Sequence, residues 1–181
     1  MDDASRTAIS LLQQGDLEGA QAVFEYALRL KTAAFGPDHP ALANDLANLG
    51  NLLAERGALV EARPLLERAL AAREQARGPD DPEVAVDLGN LGLVLGELGE
   101  LAAARTLLER ALAIQQATYG ACHPDVATAL ANLASLERRH GALAAARAHL
   151  EQAEAIFTHR LGASAEATRA VRGVLGAMEA S

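Results

Sequence analysis

Asn48, Asn90 and Asn132 stand 42 residues apart in matching settings: Leu-Ala-Asn-Leu-Gly, Leu-Gly-Asn-Leu-Gly and Leu-Ala-Asn-Leu-Ala. A carboxamide carries both donors and an acceptor, so it matches the hydrogen-bonding groups of a peptide backbone. A row of them at constant spacing suits the capture of an extended polypeptide. The same groups suit bonding between adjacent repeats equally well, and the sequence leaves both readings open. Three net hydrogen bonds at about 0.5–1.5 kcal/mol each give only about 2–4 kcal/mol. Micromolar binding needs about 8 kcal/mol, so pockets and charges must supply most of any affinity.

The remaining reactive side chains do not assemble into a catalytic pattern. Histidines occur at 39, 123, 140, 149 and 159, and Cys122-His123 is the one Cys/His neighbourhood. His39 and His123 fall in different repeat units, at places where a helix needs a cap, whereas a metal site needs three or four converging ligands. No Gly-rich phosphate loop, Gly-x-Ser-x-Gly or His-Glu-x-x-His occurs. Carboxylates are scattered, with no nucleophile, base and orienting group together. The expectation is a protein that is not an enzyme and has no cofactor and no metal.

The elements that carry the asparagines follow from the repeat. Gly36-Pro37-Asp38-His39-Pro40 recurs as Gly78-Pro79-Asp80-Asp81-Pro82 and as Gly120-Ala121-Cys122-His123-Pro124, with Gly162 on the next beat. A second series, Gly15, Gly57, Gly99 and Gly141, keeps the 42-residue period, each followed by Leu17, Leu59, Leu101 or Leu143. Proline suits the first helical position, whose N–H lacks a partner in any case. Position 39, 81 or 123 then becomes the N-cap, and the second glycine series supplies left-handed stops. Each unit therefore reads as two helices. Repeated Arg63/Glu67, Arg105/Glu109 and Arg147/Glu151 pairs at i,i+4 mark a solvated outer face on the second helices.

Composition agrees with an all-α chain. Half of the residues are hydrophobic but only 3% are aromatic, so Ala and Leu dominate, and both favour helix. The net charge of −8, with no basic run, excludes a nucleic-acid partner. No stretch of 18 apolar residues occurs, so no membrane span is expected. The first residues lack the features of a signal peptide. A single cysteine, Cys122, suits a reducing compartment, and a cytoplasmic location is expected.

These motifs resemble the tetratricopeptide repeat of the kinesin-light-chain-like, 42-residue type. The resemblance rests on Gly-Pro-Asp-His-Pro, then Leu-x-Asn-Leu-Gly/Ala, a Gly-x-Leu-x-x-Ala turn and a Leu-Leu-Glu-Arg-Ala-Leu second helix. It implies a right-handed superhelical solenoid of antiparallel helix pairs, about nine helices in all. The units are expected at 1–35 (with a degenerate first helix), 36–77, 78–119 and 120–161, with a capping helix at 162–181. Arg6 and Val174 replace asparagine in the end units, and Val171, Val174, Leu175 and Met178 form an apolar stripe suited to covering the last unit.

In a solenoid of this kind the first helices line the concave side, and residues three or four apart share a face. That places Asn44, Asn48, Asn51 and Glu55 on one wall segment. Asn90, Leu93 and Glu97 belong to the next, and Thr128, Asn132, Ser135 and Arg139 to the third. The resemblance implies peptide contact at Asn48, Asn90 and Asn132. Groove variants that grip a C-terminal carboxylate use Lys, Arg and Asn. Here Lys31 is the only lysine, and Glu55 and Glu97 oppose a carboxylate. The expected function is a non-catalytic scaffold holding a neutral or mildly basic extended segment of a protein or peptide partner. The alternative is a structural, self-associating module or the sensor portion of a larger signalling protein.

Overall fold

Pro40, Pro82 and Pro124 each follow a side chain that caps the helix they open. Asp81 accepts from the Glu83 N–H at 2.8 Å, while His39 and His123 accept through Nδ1 from Ala41 and Asp125 N–H at 3.1 and 3.2 Å. Histidine is a weaker cap than aspartate, and both rings gain a second contact. His39 stacks on Phe35 with centroids 4.8 Å apart, and His123 on Tyr119 at 4.4 Å. In the middle unit the same two places hold Arg77 and Asp81, 3.7 Å apart. An aromatic–histidine pair and an Arg–Asp pair thus fill one structural role in alternation.

The computed structural model describes residues 2–179, so Met1 and residues 180 and 181 of the expected end units lie outside the described residues. Among the described residues there are nine α-helices and no strand. They are α1 (Asp2–Gln13), α2 (Leu17–Phe35), α3 (Ala43–Glu55), α4 (Leu59–Arg77), α5 (Pro82–Glu97), α6 (Leu101–Tyr119), α7 (Pro124–Arg139), α8 (Leu143–Leu161) and α9 (Glu166–Glu179). A one-turn 3-10 helix, Pro40–Leu42, leads into α3. Gly57, Gly99 and Gly141 end α3, α5 and α7 with φ of 79°, 84° and 76°, a region that costs glycine little. The following N–H groups of Ala58, Glu100 and Ala142 then bond back to the carbonyls of Leu53, Leu95 and Glu137.

Packing repeats with the sequence. Ala20, Ala62, Ala104 and Ala146 are all completely buried, and Phe24, Leu66, Leu108 and Leu150 follow one turn later with 4% exposure or less. Small residues let the paired helices approach, and the large ones fill the space between units. Gly50 and Gly92 press so closely on Leu66 and Leu108 that a Cβ would lie 2.8 Å from each leucine. Contacts run mainly between sequence neighbours, α1 with α2, α2 with α3, and so on to α8 with α9, with smaller contacts between α3 and α5 and between α5 and α7. This is the one-dimensional stacking of a solenoid, in which each unit relies on its neighbours for burial. α9 lays Val171, Val174, Leu175 and Met178 against the core of α7 and α8.

The charged stripe on the second helices differs from the i,i+4 expectation. Arg63–Glu67 at 2.7 Å and Arg105–Glu109 at 3.7 Å form, but Arg147 pairs with Glu179 of α9 at 3.1 Å rather than with Glu151. Each of these arginines also spans units, since Arg63 bonds Glu100 and Arg105 lies 3.7 Å from Glu137. Arg68 and Arg110 donate to the carbonyls of Pro37 and Pro79 in the preceding inter-unit loops. Side chains expected to decorate one helix therefore tie successive units together. Most of these pairs are exposed, and each is worth about 0–1 kcal/mol. Among the described residues no helix is long and apolar enough to cross a membrane.

Candidate binding groove

The stack curves toward its first helices. α3 touches α5, and α5 touches α7, while no comparable contact joins successive second helices among the described residues. Units that meet on one side and splay on the other enclose a groove on the side where they meet. α3, α5 and α7 therefore form the inner wall.

Along this wall Asn48, Asn90 and Asn132 are half-buried, as are Asn51, Leu93 and Ser135, whereas Asn44, Glu55, Glu97, Thr128 and Arg139 are exposed. Asn90, Thr128 and Asn132 come together in one pocket of about 470 Å³, open to solvent and floored by Leu108 and Ala111. The Asn132 amide nitrogen lies 3.3 Å from where a Cβ on Gly89 would stand, so a glycine on α5 makes room for an asparagine on α7. No side chain of Asn48, Asn90 or Asn132 hydrogen-bonds to another described residue. Asn44 behaves differently. Its carbonyl oxygen accepts from Arg73 at 2.9 Å, which ties it into an inter-unit network. Ser135 lines a separate apolar hollow of about 500 Å³ between α7 and α9. Asn48, Asn51, Glu55 and Leu93 lie outside both pockets.

Charge at the rim is more balanced than the acidic residues suggest. Glu97 pairs with Arg139 at 2.7 Å across α5 and α7, so the glutamate that opposes a carboxylate ligand in the sequence is already neutralised. Thr128 donates its hydroxyl to the Pro124 carbonyl at 3.2 Å and offers an acceptor to the groove. Among the described residues no three His, Cys, Asp or Glu side chains converge as a metal site.

The sequence reading missed a second set of groove residues, which reach through from the second helices. At the junction of units one and two, Lys31 pairs with the fully buried Asp45. At the next junction Arg73 Nε donates to Asp87 at 2.5 Å, and another of its nitrogens donates to Glu83 at 2.8 Å. Burial pushes the Asp87 carboxyl above its ordinary range, and Arg73 only partly reverses this. Burial also opposes the charge on Arg73, but hydrogen bonds and attraction to Asp87 and Glu83 prevail and hold it above its ordinary value. At the third junction the corresponding residues are Gln115 and Ala129, and at the fourth Phe157 and Val171. The buried pair thus turns from ionic to apolar along the stack. Gln115 is 5% exposed, and its Oε1 has no hydrogen-bond partner among the described residues. An unpaired buried acceptor costs about 1–3 kcal/mol. Gln115 lines the same pocket as Asn90 and Asn132. A 14-residue offset recurring every 42 residues, Lys31/Asp45 and then Arg73/Asp87, was the signal available in the sequence.

Comparison with known proteins agrees with this architecture. The tetratricopeptide repeat family profile matches residues 4–75, 47–117 and 83–159. Two crystal structures of Podosopora anserina kinesin light chain nearly identical TPR-like repeats superpose with TM-scores of 0.79 and 0.78. Each is 22% identical and covers 98% of this chain and 84% of the other. BtubC (BKLC) from P. vanneervenii gives 0.76 at 25% identity, over 88% of this chain and 63% of that one. The first two likenesses are of fold alone. No curated protein matches the sequence. With the family profile spanning most of the helix pairs and the 42-residue period carried along the chain, the chain belongs to the tetratricopeptide repeat family.

Proposed function

We propose that the chain is a non-catalytic protein-interaction scaffold whose inner wall holds an extended polypeptide segment, in units bounded at 36, 78, 120 and 162. The fold is generally one of protein interaction. The observation that carries the finer reading is that Asn48, Asn90 and Asn132 repeat on the inner wall with side chains that make no hydrogen bond to another described residue. Amides that served the fold alone would be bonded across the units, as Asn44 is to Arg73. Free donors and acceptors in register suit the backbone of a bound chain. The exposed thiol of Cys122 fits work in a reducing cytoplasm, and the net charge of −8 fits a protein rather than a nucleic-acid partner.

The test is affinity capture with crosslinking, comparing the natural chain with N48A/N90A/N132A. Crosslinked partner should fall sharply in the variant while far-UV circular dichroism stays the same. Unchanged crosslinking along the inner wall would defeat the reading. End-to-end self-association is a second reading, favoured by Tyr26 and Leu30 on α2, which are 53% and 49% exposed. Tyr26 occupies the place that Arg68 and Arg110 use to bind a preceding loop. Light scattering that rises with concentration, and that falls on Tyr26→Ser, would favour this second reading.

A further inference from the structure

We infer that the pocket between α5 and α7 is an arginine-side-chain subsite, and that a guanidinium from the bound segment fills the place that Arg73 fills one unit earlier. The inference rests on the groove reading and names the chemistry of one residue of the occupant. At the second junction the Arg73 guanidinium is surrounded by three acceptors, on Asp87, Glu83 and Asn44. One period later the acid corresponding to Glu83 is kept, as Asp125. The cation and its buried acid are gone, replaced by the shorter Gln115 and Ala129. What remains is a hollow lined by Asp125, Gln115, Asn90 and Asn132.

The third junction is therefore acceptor-rich and has no cation at the place of Arg73; Arg77, which borders Gln115 and Asp125 in an adjoining hollow, is paired with Glu83 at 2.9 Å. Gln115 Oε1 is buried and unpaired, so the side chain gains from any ligand that brings donors. The terminal amide of glutamine turns about a broad two-fold torsion, which lets Oε1 swing to a donor while Nε2 meets the carbonyls of an extended ligand. A guanidinium offers five N–H donors in a planar fork, enough for Gln115, the Asp125 carboxylate and an asparagine oxygen at once. Leucine in the same place would leave Oε1 unpaired, and glutamate would set a second negative charge beside Asp125. The net charge of −8 draws a basic segment toward the groove.

The experiment uses the whole chain, labelled with 15N, and four capped probes, acetyl-Ala-Ala-X-Ala-Ala-amide with X as Arg, Gln, Leu or Glu. Titration should move the Gln115 and Asn132 side-chain amide signals saturably with the Arg probe, which binds at least about tenfold tighter than the Leu and Glu probes. Asp125→Asn, an exposed change, should weaken the Arg probe by a similar factor. Q115R/A129D rebuilds the Arg73–Asp87 arrangement inside the pocket and should abolish the preference for the Arg probe over the Leu probe while circular dichroism stays helical. Equal binding of the Leu or Glu probe overturns the inference, as does an Arg probe that ignores Asp125→Asn. If the Arg probe moves Asn48 and Asn90 but not Gln115, the arginine subsite falls and the groove reading stands. If no probe moves any of the three asparagines, both fall.

Discussion

Removing the Asp87 carboxylate alone should destabilise the chain more than removing its whole ion pair. Arg73 is 9% exposed and Asp87 2%, and they meet at 2.5 Å between α4 and α5. Taking one partner from a buried pair costs about 3–5 kcal/mol, because the other charge stays buried without it. Glu83 and Asn44 still reach the guanidinium at 2.8 and 2.9 Å, so Asp87→Ala belongs at the lower end of that range. The double variant R73Q/D87A copies the Gln115/Ala129 junction that the same chain already tolerates. Desolvation of the natural pair offsets most of its attraction, as the raised Asp87 carboxyl indicates, so the double variant should lie within about 1 kcal/mol of the natural chain. The pair would then show a coupling of about 2 kcal/mol or more. Urea titration followed by circular dichroism, with R73Q as the fourth corner, measures it. A double variant as unstable as Asp87→Ala would refute the reasoning, for the loss would then come from the cavity and not from the stranded charge.

The pH dependence follows from the same carboxyl. Its folded-state value is raised above the ordinary 3.8, so between the two values the folded chain holds a proton that the unfolded chain has shed. Stability linked to Asp87 is complete below 3.8 and is lost as pH rises through the raised folded value; unlike alanine, the protonated carboxyl still fills the site and its carbonyl oxygen still accepts from Arg73. The stability difference between the natural chain and Asp87→Asn should therefore move against the natural chain across that window in urea midpoints. Movement the other way contradicts the sign. Asp81→Ala should cost about 0.5–2 kcal/mol by uncapping α5, read as a lower thermal midpoint. Gly173→Ala and Gly176→Ala should each add up to about 1 kcal/mol, since a Cβ at either place meets nothing within 4 Å. Gly92→Ala should instead lose about 1–3 kcal/mol of packing against Leu108, partly recovered through helix propensity. Thermal unfolding that ranks these three glycine variants otherwise would show that propensity, not packing, governs the junction.

The helix starts at Pro82 and Pro124 and the stops at Gly57, Gly99 and Gly141 were legible in the residues, because proline, its cap and a left-handed glycine act within one turn of chain. That Asn48, Asn90 and Asn132 take the same place on α3, α5 and α7 was legible too, since the 42-residue spacing carries each to the matching turn of its helix. The Arg147 partner was not. Glu151 is the near neighbour in sequence, but α9 brings Glu179 closer in space. Nor was the Glu97–Arg139 pair, because it joins two first helices whose approach depends on how the units curve.

Local chemistry and a 42-residue period were enough to fix helices, their order and the fold family, as each signal is read within a few bonds of where it acts. Tertiary structure alone decided which residues of different helices share a hollow. Gln115 lies on a second helix yet meets Asn90 and Asn132 on two first helices. Whether its acceptor finds a partner depends on the room left by Ala129 after the units have stacked. Burial and the pairing of buried groups are properties of that packing, and no linear spacing contains them.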